Sequence, residues 1–179
     1  MNLDGLLPHI KGLPQYRETL QLINNLNPNS GHIIRLDIPN AARTSLLATL
    51  ISDLYQPILI LTSSEDYSNT YVEEISAWHP TQQIHNFVET NNTFYERSPR
   101  DIETIHQRTS TLAQLIQTTN LSKITAISSA KALMTPTLPR TLFNKNMLKI
   151  SIGENVELNQ IIEICIESGY IPSTIVTNP

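Results

Sequence analysis

The chain has 179 residues, 40% of them hydrophobic and 16% charged, with a formal net charge of −4. That length allows one domain with a sizeable core, or one domain and part of a second. The acidic balance speaks against a chain that holds nucleic acid alone, because such binding leans on Lys and Arg neutralising phosphates. No apolar run approaches the roughly 20 residues of a membrane span, and the N-terminus lacks a basic stretch leading into an apolar core. One cysteine, Cys165, leaves no internal disulfide framework. A cytoplasmic protein is expected.

The elements follow in chain order. Tyr16, Leu20 and Ile23 predict a helix over 14–26, ended by the turn residues Asn27-Pro28-Asn29-Ser30-Gly31. His32-Ile33-Ile34-Arg35-Leu36 predicts a strand, and Leu46, Leu47, Leu50, Ile51 and Leu54 predict a helix over 42–55. Between them lies the place where a nucleotide-binding chain carries its phosphate loop, G-x-x-x-x-G-K-[ST]. Aligned on its last position, this chain reads Asp37, Ile38, Pro39, Asn40, Ala41, Ala42, Arg43, Thr44. Both glycines are gone, the lysine is an arginine, and Thr44 alone survives.

Such a loop curls backbone N–H groups around an anion at a helix N-terminus. Ala42 adds a Cβ where the backbone must come close, and Pro39 deletes an N–H donor. Asp37 brings a carboxylate beside the triphosphate's place, and two like charges about 4 Å apart repel by roughly 4 kcal/mol at an effective dielectric of about 20. Arg43 keeps the charge but not the compact ammonium of lysine. Two readings stay open: a nucleotide site that has lost its nucleotide, or a strand-to-helix loop that never held one. Neither is catalytic, and no cofactor is expected.

Further on, Ile58-Leu59-Ile60-Leu61 predicts a strand buried on both faces of a parallel sheet. Ser63 and Asp66 form a capping-box pattern opening a helix with Tyr67, Tyr71, Val72, Ile75 and Trp78, stopped by Pro80. A strand is expected over 83–88, a loop over 90–98, and a helix over 99–117 capped by Ser98-Pro99 and carrying Ile102, Ile105, Leu112 and Ile116. Residues 123–128 read as a strand and 129–134 as a short helix. Alternating strands and helices at this spacing predict an α/β domain with right-handed crossovers. After Pro136 and Pro139 the pattern changes. Residues 147–152 alternate as a strand, Leu158, Ile161, Ile162 and Cys165 share a helix face ended by Gly169, and 170–176 begin another strand. A helicase-like domain over 1–144 and the beginning of a small α+β domain over 145–179 are the expected organisation.

Few residues carry chemistry. The five histidines are scattered without ligand spacing, so no metal is expected. Cys165 on an apolar stripe reads as a buried, inert thiol. Glu65-Asp66 and Glu73-Glu74 read as solvated helix faces. Phe94-Tyr95-Glu96-Arg97 has the composition of a contact anchor, since Tyr and Arg are enriched at interface hot spots. The other reading is that the aromatics plug the sheet end while Glu96 and Arg97 pair locally.

The order of segments LDIPNAARTSLLATL, VETNNTFYERSPRDIETIHQR, ITAISSAKALM and LKISIGENVELNQIIEICIESGYIPSTIVTNP resembles the N-terminal module of the bacterial transcription-repair coupling factor. That module is itself similar to excinuclease component B, the damage-recognition protein of the nucleotide-excision nuclease. In the family the second segment reads like F-P-x-W-E-T-L-P-Y-E-R-x-S-P; Glu89, Thr90, Tyr95, Glu96, Arg97, Ser98 and Pro99 match, while Val88 stands in place of the tryptophan. Ser129, Ala132 and Leu133 match a S-V-R-A-L-x-Q stretch, and Gly169-Tyr170 match the end of the last block.

The resemblance implies a three-layer, helicase-like (P-loop-type) α/β fold, mostly parallel, without a working ATP site. It implies a non-catalytic docking module that recruits excinuclease component A, with RNA polymerase and DNA engaged only through domains beyond this chain. It further implies that the second domain is cut short, because the family's partner-contacting arginines follow a G-E-F/Y stretch after the position of Pro179. Stretch 89–98 is too short for the strand-separating hairpin of excinuclease component B. The alternatives from the residues alone are an atypical P-loop ATPase or helicase lobe, another α/β enzyme with its site at the strand ends, or, more weakly, a direct DNA binder.

Overall fold

A computed structural model describes residues 3–27, 30–90, 102–118, 124–148 and 150–173. The chain divides into two compact units, 1–135 and 136–179.

In the first unit a 3-10 turn, Asp4–Leu6, leads into helices α1 (Leu7–Lys11) and α2 (Pro14–Asn24). Pro14 opens α2 at a position whose N–H needs no partner. Helix α3 (Asn40–Asp53) ends ahead of Pro57, and Leu54 is already extended. Strand β1 (Ile58–Thr62), α4 (Glu65–Trp78), β2 (Ile84–Phe87), α5 (Ile102–Gln117), β3 (Thr125–Ser129) and α6 (Ala130–Met134) complete the unit.

The three strands form an open, all-parallel sheet in the order β1-β3-β2. Register pairs Ile60 with Ile127 and Phe87 with Ser128, so alternate residues fall on opposite faces. One face carries the core: Ile60 and Ile127 pack with Leu7 of α1, Ala48 and Ile51 of α3, and Ile75 of α4. Tyr71, Val72 and Trp78 of α4 pad this cluster, as their helical spacing requires. The other face carries His85, Phe87, Ala126 and Ser128, all buried, with α5 lying against β2. Helices therefore lie on both faces, and the fold is mixed α/β.

A polar clamp fastens the N-terminal helices to α3. Lys11 donates to Asp53 and to Ser52 Oγ (2.6 Å), and Tyr16 Oη donates to Asp53 Oδ2 (2.8 Å). Burial pushes the Tyr16 phenol up, with Asp53 adding to it. Burial alone would raise the Asp53 carboxyl too, but the hydrogen bonds from Lys11, Tyr16 and Ser52 outweigh it and hold the group below its ordinary value.

Several expectations need correction. Residues 31–39 form no strand, and Ile33 is 91% exposed. An isolated extended segment has no ladder to satisfy its backbone, whatever its propensity. Helix α3 begins at Asn40 rather than 42. Strand β1 is not covered on both faces, because Leu59 and Leu61 are exposed. The residue capping α4 is Ser64, not Ser63, and no side chain caps that helix.

The second unit contains α7 (Arg140–Lys145) and α8 (Leu158–Glu167), joined by an exposed Lys145–Glu167 ion pair of 3.1 Å. Among its described residues no strand forms, so the strands expected at 147–152 and from 170 are absent from residues 147, 148, 150–152 and 170–173. Gly169 does end α8: at φ +94 it donates to Ile166 O, and Tyr170 N–H donates to Cys165 O, the paired bonds of a Schellman cap. Cys165 is exposed rather than buried, and α8 has no buried residue.

Candidate functional site

The degenerate loop comes first. Asp37 is exposed, and residues 31–39 run without regular structure to Pro39, which precedes α3 at φ −54 and ψ 141. Ala42 N–H turns back to Pro39 O at 2.9 Å. Ala42 is half-buried, Arg43 exposed and Thr44 buried in α3. A backbone anion nest alternates right- and left-handed residues, yet no described non-glycine residue has positive φ. Thr44, the one residue matching the phosphate-loop pattern, is turned into the protein.

The carboxyl ends of the strands, where ligands bind in open α/β sheets, carry a second cluster. Glu89 follows β2 with its side chain only 11% exposed. Its carboxylate accepts from Ser129 Oγ at 2.6 Å and pairs with Lys131 at 2.8 Å. Lys131 foremost, then Ser129, hold the Glu89 carboxyl below its ordinary value against the pull of burial. Ser129 caps α6 as well, accepting from Ala132 N–H at 3.1 Å.

Arg108 of α5 lies beside this latch and is buried. Its guanidinium donates to Val88 O at 2.5 Å and to Ala132 O at 3.3 Å, and sits 3.9 Å from the centre of the Phe87 ring. Burial lowers its pKa. A planar fork reaches two carbonyls on different elements while stacking on a ring, which an ammonium does not reproduce. Glu89 and Arg108 together bind the ends of β2 and β3 to α5 and α6. The Glu89 carboxylate and the Arg108 guanidinium both bond across elements, so the cluster ties these strand ends to the helices.

An open cleft of about 690 Å³ runs along β2 between α4 and α5, lined by Asn69, Asn86, Val88, His106 and Ser110 among others. Asn86 Nδ2 donates to Asn69 Oδ1 at 2.9 Å, while Asn86 Oδ1 is buried without a protein partner.

Tyr95, Glu96 and Arg97 lie outside the described residues, as does the cap expected at Ser98. Their flanks are fixed: Glu89 on one side is latched to β3, and α5 on the other is held through Arg108. Sequence reasoning missed the Arg108 latch, though it left a signal. Arg108 falls three residues after Ile105 and four before Leu112, a charge set within an apolar helical stripe.

Among the described residues no group of three His, Cys, Asp or Glu side chains is placed to hold a metal ion, and no helix is long and apolar enough to cross a membrane. Comparison of the chain with protein-family models, curated proteins and solved structures finds no match.

Proposed function

We propose that this chain is a non-catalytic docking module of the transcription-repair coupling factor type, which helps bring excinuclease component A to RNA polymerase stalled at DNA damage. The observation that carries the reading is the course of residues 36–44. Where an ATPase of this strand-loop-helix order would hold phosphate, the chain enters α3 through Pro39 with no positive-φ residue and with Thr44 buried. The ordered segments containing TNNTFYERSP, ITAISSAKALM and ESGY support it. The helicase-like ancestry of the sheet belongs to the same proposal.

Titration with a fluorescent ATP analogue tests the non-catalytic half. No saturable binding is expected, and a dissociation constant below about 100 μM would remove the reading. Co-purification tests the recruiting half. A coupling factor carrying this module is expected to retain excinuclease component A, and the same protein without residues 1–179 to lose it, because the contact segment that the resemblance places after Pro179 is then deprived of its scaffold; retention at an unchanged level would refute the assignment.

A further inference from the structure

We propose that helix α5 stands in for a missing neighbour on the outer edge of β2, through a polar ridge of Arg108, Thr111 and Gln114 that keeps a second copy of this chain from adding a strand there.

The direction of the backbone is the first observation. The sheet order leaves β2 paired with β3 alone. Ile58 N–H donates to Ile124 O at 2.9 Å, so the even-numbered residues of β3 turn their backbone groups to β1 and the odd-numbered ones turn theirs to β2. Ile127 stands opposite Asn86 in the register and therefore spends its backbone bonds on His85 and Phe87. The carbonyls of Asn86 and Val88 point away from the sheet.

Those outward carbonyls already have donors, which is the second observation. Thr111 Oγ1 donates to Asn86 O at 2.9 Å, and the Arg108 guanidinium donates to Val88 O at 2.5 Å. Gln114 carries the row on, its Oε1 accepting from Gln83 Nε2 at 3.0 Å and from His85 Nδ1 at 3.2 Å. Residues 108, 111 and 114 recur at every third position and so form one ridge. The later helix residue meets the earlier strand residue, as a crossover helix running back along its strands requires. The two spacings differ: three helix residues rise about 4.5 Å, whereas two strand residues span about 6.6 Å. The long arginine arm takes up a difference that a second threonine could not.

Space does not protect this edge. The cleft of about 690 Å³ runs along it, and Asn86, Val88 and Thr111 are among its lining residues. A strand laid there would need the Asn86 and Val88 carbonyls as acceptors, and α5 engages both. The charge of Arg108 adds to the barrier. Arg108 is buried, and among the described residues no carboxylate pairs with it. A buried charge is costly unless it is hydrogen-bonded, so a strand that displaced the guanidinium from Val88 O would take an acceptor from it. Folded proteins blunt sheet edges with covering helices and charged side chains, and α5 supplies both.

Sedimentation of the whole chain tests this, with wild type set against Arg108→Met combined with Thr111→Val. These replacements keep bulk beside the edge and remove its donors. The variant is expected to self-associate at least about tenfold more tightly than wild type. Equal association of a folded variant overturns the proposal. Hydrogen exchange locates the contact: the amides of Asn86 and Val88 should gain protection as the concentration of the variant rises. Association that protects other residues instead overturns the proposal too. Should the double variant not fold, Thr111→Val alone loses one hydroxyl bond, keeps its shape and is read in the same way. Concentration-dependent protection of those two amides is expected in it and not in wild type. Its absence from the variant, or its presence in wild type, overturns the proposal.

Discussion

Asp53 takes hydrogen bonds from Lys11, Tyr16 and Ser52, and its lowered pKa reflects the preference of the folded protein for the ionised form. Asp53→Asn removes the ion pair and keeps the shape. It is expected to destabilise the protein by about 1–3 kcal/mol near neutral pH. The sign with pH follows from the direction of the shift. A group whose folded pKa is depressed contributes stability above its unfolded value, about 3.9 for aspartate, and loses it as pH falls through the folded value. Urea unfolding of both proteins between neutral and acid pH should show a constant gap that narrows only below about pH 4. A gap that persists at the lowest pH would mean that the carboxylate charge is not what holds the clamp. None of this was legible in the sequence. Asp53 lies 42 residues from Lys11 and 37 from Tyr16, and only the packing of α1 and α2 on α3 brings it to them.

Helices were more legible than strands for a physical reason. Amphipathic period records which side of a helix is buried, and α2, α3, α4, α5 and α8 all form close to where their apolar spacing falls. A strand needs a neighbour as well as a pattern. Ile58-Leu59-Ile60-Leu61 finds β3, while His32-Ile33-Ile34-Arg35-Leu36, equally strand-like, is unpaired. The short helices α1 and α7 went unforeseen because five or six residues are too few to show a period. The end of α8 was readable, because glycine is the residue that accepts a left-handed conformation without cost. Gly169→Ala at φ +94 should weaken the cap by about 1 kcal/mol. Nothing crowds the new Cβ, so the cost is purely one of backbone conformation. Amide exchange at Gly169 and Tyr170, whose N–H groups close the cap, should accelerate while β3 is unaffected. Unchanged exchange there would show that α8 ends by some other means.

At the scale of the molecule, the question is whether restoring the three residues that depart from the phosphate-loop pattern would be enough to hold a nucleotide, or whether the chain around them prevents it. The substitutions Asp37→Gly, Ala42→Gly and Arg43→Lys together rebuild the pattern G-x-x-x-x-G-K-T at 37–44. They leave Pro39 in place, without an N–H and immediately ahead of a helix that already begins at Asn40. Nor do they supply the strand that aims a phosphate loop, because the described sheet has only β1, β3 and β2, and residues 32–36 lie outside it. A cradle for phosphate needs the strand, the turn and the helix together, and the triple variant restores side-chain identity without that frame. The expected outcome is therefore no saturable binding of a fluorescent ATP analogue tighter than about 100 μM. The comparison is informative in the other direction too. Regained affinity would mean that the backbone between Leu36 and Thr44 relaxes into a cradle once glycine permits it, and that the loop is a relic of an ATPase. Motif spacing locates this region in the sequence, but only the course of the chain through Pro39 into α3 decides what it can hold.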